Sequence, residues 1–247
     1  MEENKVNIVH LGHSSFLIET KENILIFDYY DDKPDVKKRT LENGVVSGEK
    51  LKTDKNIFVF VTHSHSDHYN PIIFKWKETN PNIRYILSND IKDEVDSNKY
   101  KYMNPYEITK IDEIEIKTYG STDKGVSFLV KVDGLNIFHS GDLNWWHWKS
   151  FSKEELEVEE RDYKNEINKV MENNIDIAFV PVDPRLEEFY YLAAEHFIEE
   201  IKPKLMVPMH FGDDFNICNK LINKIGERST QIADITHVGK EISFTTK

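Results

Sequence analysis

The stretch VTHSHSDHYNP, residues 61–71, places three histidines and one aspartate within six positions. It continues the β-branched and aromatic run NIFVFV, residues 56–61, which predicts a strand buried on both faces. Asn70 and Pro71 then supply a helix N-cap and a first helical residue. The side chains that could bind a cation therefore lie where a buried strand turns into a helix.

The spacing inside this stretch favours metal binding. His63 and His65 are two residues apart, so a strand that continued through them would project both side chains from one face. Asp67 and His68 follow in the turn and add a second set of nitrogen and oxygen ligands, as sites with two metal ions about 3.5–4 Å apart require. In a chain of this composition, H-x-H-x-D-H arises by chance with a probability on the order of 10⁻³. Ordinary surface histidines are therefore the weaker interpretation.

The composition limits the classes of function. The 247 residues include 32 basic and 44 acidic ones, a formal net charge of −12. Such a surface repels phosphate backbones, so nucleic-acid binding is disfavoured, whereas a small anion held locally by metal ions is compatible with it. Apolar runs fall short of the roughly 20 residues that span a bilayer, and the first residues lack a signal-peptide pattern. With one cysteine, Cys218, we expect a soluble cytoplasmic protein without a membrane partner. The oligomeric state is left open.

The order of predicted elements indicates the fold class. Short β-type runs open the chain, a long charged helix is predicted over residues 152–174, and strands and helices alternate after it. A β-rich first part followed by alternating strands and helices predicts an α+β fold of two packed sheets with helices outside. The hydrophobic content of 39% is enough for one sizeable core, and we expect a single domain over residues 1–247.

Four motifs give the chain a resemblance to the metallo-β-lactamase superfamily, in its branch of lactonase-like and metal-dependent hydrolases. The motifs are THSHSDH (62–68), HLGHSSFLIETKENILIFD (10–28), IFHSGDLN (137–144) and MVPMHFGD (206–213). The resemblance implies a four-layer αββα sandwich with metal ions at the sheet edges between its halves. It also implies hydrolase activity on a small-molecule substrate.

The same resemblance assigns the metal ligands. Asp142 and His210 each end a predicted strand near a glycine, and this position supports their assignment from the residues themselves. In the family's arrangement one pair holds the first ion, three residues hold the second, and one carboxylate bridges both. These are His63 and His65 for the first ion, Asp67, His68 and His210 for the second, and Asp142 for the bridge.

The chain departs from the family pattern in one loop. Most members supply another histidine to the first metal ion from a loop between Asp67 and Asp142, but the matching segment YGSTDKGVSF, residues 119–128, contains none. Asp123 in this loop is either a substitute ligand or a turn aspartate. His139 lies three residues before Asp142, and in a regular strand an odd separation puts two side chains on opposite faces. His139 is therefore a ligand only if a bulge at Gly141 breaks the strand, and otherwise it is a neighbour that orients a ligand.

Two further residues near the start of the chain bear on the same site. Asp28 closes the third predicted strand, where we expect it to orient a histidine. For His13, in the GHSSF turn, packing or support of a ligand is favoured over metal binding.

The ligand set predicts the chemistry. Imidazoles and carboxylates without cysteine suit two Zn²⁺ ions, and also Mn²⁺, Fe²⁺ or Ni²⁺. A bound metal ion lowers the pKa of water toward 7, so we predict attack by metal-activated water on a small ester, lactone or phosphoester. Asp67 or Asp142 would accept the proton. The alternative is a non-hydrolytic metal-binding protein on the same fold, either linked to oxygen or redox chemistry or acting as a binding module.

Aromatic residues close to the predicted ligands are candidates for a substrate pocket. Trp145, Trp146 and Trp148 follow Asp142 directly, and Tyr29 follows Asp28. Their rings could stack on a substrate and exclude water. The tryptophans could equally pack beneath the helix that follows them.

Overall fold

The structure, a computed structural model, describes residues 4–33, 35–95 and 97–246. These residues form two compact units. Unit 1 takes the described residues up to Met103 and those from Ile235 onward, and unit 2 spans Asn104–Asp234. The single domain expected over residues 1–247 stays a prediction, and residues 1–3, 34, 96 and 247 of that range lie outside the described residues.

Unit 1 is built on one seven-stranded sheet. Its elements are β1 (Asn4–Gly12), β2 (Ser15–Glu19), β3 (Asn23–Phe27), the 3-10 helix Leu41–Asn43, α1 (Gly48–Leu51), β4 (Asn56–Val61), the 3-10 helix Pro71–Glu78, β5 (Arg84–Ser88), the 3-10 helix Asn89–Asp93, β6 (Lys101–Met103) and, at the end of the chain, β14 (Glu241–Thr246). The strand order is β14-β1-β2-β3-β4-β5-β6.

Unit 2 contains a second seven-stranded sheet and three α-helices among its described residues. Its elements are β7 (Ile108–Ile111), β8 (Ile114–Tyr119), β9 (Ser127–Val132), β10 (Leu135–His139), α2 (Lys153–Val170), β11 (Ile177–Pro181), the 3-10 helix Pro184–Phe189, α3 (Leu192–Ile201), β12 (Leu205–Met209), α4 (Asn216–Ile225) and β13 (Gln231–Ile232). The strand order is β13-β12-β11-β10-β9-β8-β7.

Each sheet joins an antiparallel half to a parallel half. In unit 1 the pairs from β14 to β3 are antiparallel and those from β3 to β6 are parallel. In unit 2 the pairs from β7 to β10 are antiparallel and those from β10 to β13 are parallel. Because parallel strands end at the same edge of a sheet, the loops after β3 and β4, and those after β10, β11 and β12, each collect at one edge. All of the predicted metal ligands lie in these loops.

The strand that carries the histidine motif is a core strand. Residues 57–61 of β4 are at most 2% exposed, which confirms the prediction of a strand buried on both faces. Phe60 stacks on Phe27 of β3, with ring centroids 4.6 Å apart and an interplanar angle of 12°. Each fully buried ring of this size contributes about 1.5–3 kcal/mol, so the strand before the site is firmly held.

The helix predicted after the motif is present but is a 3-10 helix. Its N-cap is Asn70, whose Oδ1 accepts a hydrogen bond from the Ile72 N–H at 3.0 Å, and Pro71 occupies the first helical position. Ile73 and Trp76 are its buried residues. Their spacing of three matches the 3-10 repeat, in which residues three apart share a face.

The long charged helix α2 is confirmed. It begins with a capping box, in which Ser152 Oγ accepts from the Glu155 N–H at 3.2 Å and the Glu155 carboxylate accepts from the Ser152 N–H at 2.6 Å. Its buried stripe contains Tyr163, Ile167 and Val170. None of the helices in the described part of the chain is both long and apolar enough to cross a bilayer.

Glu19 of β2 forms ion pairs with two lysines, Lys50 and Lys55, and we expect these pairs to stabilise the fold. Its carboxylate receives Lys50 Nζ at 2.5 Å and Lys55 Nζ at 2.9 Å. Burial raises the pKa of Glu19, but the hydrogen bonds from the two lysines outweigh it and hold the pKa below its ordinary value. We expect Glu19→Gln to lower the free energy of unfolding by ~1 kcal/mol at neutral pH, measured by urea denaturation.

The pH dependence of that difference is the sharper test. A carboxylate with a lowered pKa stabilises the fold above its unfolded pKa, and this contribution disappears as the pH falls through the folded pKa. The gap between wild type and E19Q should therefore close as the pH falls below about 4. Glu227→Gln, which makes the same charge change at an exposed position, should stay within about 0.5 kcal/mol of wild type. A gap that does not depend on pH would contradict the ion-pair explanation.

Candidate metal centre

In unit 1 the histidine motif forms a turn, not an extension of the strand. Strand β4 ends at Val61, and the N–H groups of His68 and Tyr69 both donate to the His65 carbonyl at 3.0 Å. The turn still brings His63 and His65 together, with ring centroids 4.6 Å apart. Their proximity thus comes from the turn, not from the shared strand face considered from the sequence.

The loop between these two histidines is held by a carboxylate that follows the next strand. Asp90, in the 3-10 helix after β5, accepts the Ser64 N–H at 2.9 Å. No motif singled out Asp90, because a turn that begins with Asn-Asp is common. Its contact fixes the backbone directly between His63 and His65.

His63 and His68 form the buried part of the motif. Both residues are 0% exposed, and their ring centroids lie 4.2 Å apart. One ring nitrogen of each lies within 4.8 Å of the other, which suits ligands of the same ion or of neighbouring ions. His65, by contrast, is exposed.

Asp28 orients His68. Its Oδ2 lies 2.8 Å from His68 Nδ1 and also accepts the Thr62 hydroxyl at 2.7 Å, while Oδ1 accepts the Thr62 N–H at 2.8 Å. A carboxylate on Nδ1 favours the proton there and leaves Nε2 as the ligand nitrogen. This contact is the one that the expected role requires, and the role of Asp28 stays a prediction. Its backbone adopts a φ of 47°, which is uncommon outside glycine.

His13 approaches the motif more closely than its sequence position indicated. Its Nε2 lies 3.4 Å from Asp67 Oδ2, and ligand atoms of His13, Asp67 and His68 lie within 4.8 Å of one another. The hydrogen bond with His13 is the main cause that holds the pKa of Asp67 below its usual range. His13 has a φ of 49°, and its carbonyl lies 3.4 Å from Nε2 of the buried His10.

In unit 2 a second carboxylate–histidine pair occurs. Asp183 Oδ2 lies 3.1 Å from His210 Nδ1, and His210 Nε2 lies 3.3 Å from Asp142 Oδ1. All three residues are less than 5% exposed, and His210 has a φ of 64°. The arrangement repeats that of Asp28 and His68, with Nδ1 toward a supporting carboxylate and Nε2 toward the predicted ligands.

Asp183, which contacts the predicted ligand His210, was not predicted as a site residue from the sequence. It caps the 3-10 helix Pro184–Phe189 by accepting the Arg185 N–H at 2.9 Å, and the Arg185 guanidinium binds the same carboxylate. Burial raises the pKa of Asp183, but the bonds with His210 and Arg185 outweigh it and lower the pKa to about 2. The available signal was Asp-Pro at the end of a buried strand, the counterpart of Asn70-Pro71.

The turn that carries Asp142 is fixed from two sides. Thr122 Oγ lies 2.6 Å from the Asn144 carbonyl and 3.3 Å from that of Asp142, and it accepts the Asn144 N–H at 2.9 Å. His139 Nδ1 accepts the Gly141 N–H at 3.2 Å, and its ring centroid lies 5.6 Å from that of Phe179. These contacts give His139 a supporting position beneath the turn.

Asp123 lies close to Asp142. One carboxylate oxygen of each residue lies within 4.8 Å of the other, although Asp123 is exposed. Both of the alternatives drawn from the sequence, a ligand or a turn aspartate, are compatible with this position.

The predicted pocket residues divide into two groups. The Trp146 ring packs edge-on against His210 at a centroid distance of 5.6 Å and stacks on Trp148 at 5.7 Å. The Arg185 guanidinium lies 5.6 Å from the centre of the Trp148 ring. Trp146 therefore lies beside a predicted ligand, and Trp148 packs on the Trp146 ring.

The other two pocket candidates contact different partners. Trp145 stacks on Tyr163 of α2 and meets His196 of α3 edge-on, each at 6.2 Å. In unit 1, Tyr29 is 1% exposed and belongs to the core, where its hydroxyl donates to Asp32 at 2.9 Å. Both have packing roles in their own units.

The donor chemistry of both units fits divalent metal ions. His68 and His210 are buried imidazoles whose Nδ1 atoms are engaged by Asp28 and Asp183. This arrangement is typical of metal-binding histidines, since it fixes the tautomer and strengthens the ligand. Carboxylates close to both histidines supply the hard oxygen donors that mixed nitrogen and oxygen sites contain.

Curated relatives match most of the chain. A metal-dependent hydrolase of Pyrococcus furiosus, from the group designated UPF0173, is 28% identical over 220 residues, which cover 84% of this chain and 85% of that protein. The UPF0173 metal-dependent hydrolase YtkL of Bacillus subtilis is 25% identical over 229 residues, 84% of this chain and 86% of that protein.

Solved structures show the same fold. Igni18, described as a novel metallo hydrolase from Ignicoccus hospitalis, matches with a TM-score of 0.64 and 18% identity, over 98% of this chain and 100% of its own. The metallo-beta-lactamase fold protein YhfI of Bacillus subtilis matches with a TM-score of 0.62 and 13% identity, over 98% and 100%. The predicted α+β class and metallo-β-lactamase fold are thereby confirmed.

The family assignment follows from these matches and from the motifs. The model of the beta-lactamase superfamily domain matches residues 7–158, more than half of the chain. That range includes the histidine motif and the Asp142 turn, where most of the candidate ligands lie. The chain belongs to the metallo-β-lactamase superfamily.

Proposed function

We propose that this chain uses metal-activated water to hydrolyse a small ester, lactone or phosphoester. Its family and the names of its curated relatives support the broader class, a metal-dependent hydrolase. The observation that carries the proposal is the repeated carboxylate–histidine pair, Asp28 with His68 at 2.8 Å and Asp183 with His210 at 3.1 Å. Such pairs prepare imidazoles for metal ions.

The proposed ligands are those implied by the motifs. They are His63 and His65 for one ion, Asp67, His68 and His210 for a second, and Asp142 between them. Zn²⁺ suits this set, as do Mn²⁺, Fe²⁺ and Ni²⁺. His13 supports the second set, because its ring lies against Asp67 and His68.

Each group of residues has a separate task in the proposed reaction. Bound divalent ions would lower the pKa of water and polarise the scissile bond. Asp142 and Asp67 each offer a carboxylate to accept the proton of the attacking water. Thr122 and His139 hold the Asp142 turn, so this carboxylate keeps its position during the reaction.

The proposed substrate is a small molecule. Trp146 lies against His210 and stacks on Trp148, and an aromatic pair of this kind suits a compact organic group. The formal net charge of −12 opposes a nucleic-acid substrate. The single cysteine supports the proposal of a cytoplasmic location.

One observation favours a second candidate, a non-hydrolytic metal-binding protein. The segment of residues 119–128 contains no histidine, so the first ion would have a reduced set of imidazoles. A site with one strongly held ion would suit binding or redox chemistry better than two-metal hydrolysis.

Metal analysis combined with a substrate panel separates the two candidates. Protein loaded with Zn²⁺ or Mn²⁺ should contain two ions per chain by mass spectrometry of the metals. It should hydrolyse at least one of p-nitrophenyl acetate, a γ-lactone and bis(p-nitrophenyl) phosphate. EDTA should abolish the hydrolysis, and His65→Ala and Asp67→Ala should each lose it because a ligand is missing. If the loaded protein cleaves none of these probes but consumes oxygen or peroxide, the non-hydrolytic candidate replaces the hydrolase.

The carboxylates of Asp28 and Asp183 lead to a second prediction, about metal affinity. Asp28→Asn and Asp183→Asn keep the shape of the side chain but remove the charge on the Nδ1 side of His68 and His210. We expect metal affinity to fall about 10–100-fold in each, measured by chelator competition.

Asp54→Asn is the matched control, because Asp54 is exposed and precedes β4, whereas the histidine motif follows the other end of that strand. Its metal affinity should equal that of wild type. Circular dichroism should show folded protein in all three variants. Unchanged affinity in folded D28N and D183N would show that these carboxylates do not support metal ligands.

A further inference from the structure

Four consecutive residues after the Asp142 turn contain buried nitrogen atoms that make no hydrogen bond to any described residue. These atoms are Asn144 Nδ2, Trp145 Nε1, Trp146 Nε1 and His147 Nδ1. Folded proteins leave few buried polar atoms unsatisfied, because each loses its bonds to water without a replacement. Four in succession beside a candidate catalytic carboxylate therefore require an explanation.

Two of these nitrogens belong to residues next to predicted ligands, since Asn144 follows Asp142 by two positions and the Trp146 ring lies against His210. Asn144 is 1% exposed. Both its carbonyl and its N–H form hydrogen bonds with the Thr122 hydroxyl, which also lies within hydrogen-bond distance of the Asp142 carbonyl. Trp146 is 7% exposed, with its ring against His210. Neither side chain has to be ordered when a ligand arrives, so little entropy is lost on binding.

The chemistry of these two atoms defines what they can bind. The amide nitrogen of asparagine and the indole nitrogen of tryptophan donate hydrogen bonds and do not accept them. Their complement is an oxygen with lone pairs, such as that of a carbonyl or a phosphoryl group. An ammonium or another pure donor would leave both unsatisfied.

Trp145 provides the contrast within the same segment. Its ring lies against Tyr163 and His196 of helices α2 and α3, and Lys164 Nζ lies 4.7 Å from the centre of the ring. Its indole belongs to the packing of those helices. Trp145 thus has the same indole N–H group as Trp146, but its ring packs against helices and not against a predicted ligand.

We propose that Asn144 and Trp146 are specificity residues that donate hydrogen bonds to an oxygen of the substrate's scissile carbonyl or phosphoryl group. This inference rests on the proposed hydrolase function and narrows its substrate to molecules with such an oxygen next to the bond cleaved. Donors arranged before the reaction stabilise the charge that develops on that oxygen.

The test compares Asn144→Leu and Trp146→Phe with the matched control Trp145→Phe in the metal-loaded protein. Both tryptophan variants lose an indole N–H and keep an aromatic ring. With whichever of the three probes above the wild type hydrolyses, kcat/KM should fall about tenfold in N144L and in W146F, as expected for one lost hydrogen bond. W145F should stay within about twofold of wild type.

Melting temperature gives a second readout, which a purely structural role would move differently. Removing an unsatisfied buried donor relieves its cost, so N144L should melt no lower than wild type and W146F no lower than W145F. Lower melting temperatures in both N144L and W146F would show that these nitrogens have structural partners, and would overturn the inference. Values of kcat/KM in both variants equal to that of W145F would overturn it while leaving the hydrolase function intact.

A binding arm keeps the inference testable if the wild type cleaves no probe and the proposed function fails. Inorganic phosphate and acetate would then be titrated calorimetrically into metal-loaded protein. Weaker binding by N144L and W146F than by wild type and W145F would support the oxygen-binding role. Equal binding by all four proteins, or no binding by wild type, would overturn it.

Discussion

A buried carboxylate against the Nδ1 of a histidine is the interaction on which the candidate metal ligands of each unit depend. Asp28 needs both donors of Thr62 besides His68, and Asp183 needs Arg185 besides His210. A buried charge is tolerated only when such partners compensate for its lost hydration. The carboxylates thus determine the orientation of the imidazoles, although the histidines are what stands out in the sequence.

Parallel strands make this arrangement possible. Asp28 and the histidine motif follow neighbouring strands β3 and β4, and Asp183 and His210 follow neighbouring strands β11 and β12. Residues 40 and 27 positions apart therefore meet with hydrogen-bond geometry. The mixed topology of each sheet provides the same kind of edge twice, once in each unit.

The sequence allowed prediction where the signal was local. The buried run of β4, the Asn70 cap, the charged helix α2 and the four motifs were all evident from neighbouring residues, and they led to the fold. The role of Asp183 was hidden because its partner is distant and its capping function explains it locally. The turn at residues 63–68 and the opposite environments of Trp145 and Trp146 could not be predicted either, since side-chain directions in an irregular segment follow no period. Nor does any local pattern indicate that the last strand, β14, pairs with the first.

Three residues among the candidate ligands and their supports, His13, Asp28 and His210, have left-handed backbones with φ of 49°, 47° and 64°. Among residues other than glycine, asparagine, aspartate and histidine are the ones enriched in this conformation. Substitutions at these positions are therefore restricted twice, by the chemistry required of the side chain and by the backbone conformation. A β-branched residue would strain the backbone at these positions, whatever its side chain could contribute to the site. We therefore expect relatives with a different function to carry only a few residue types at these positions.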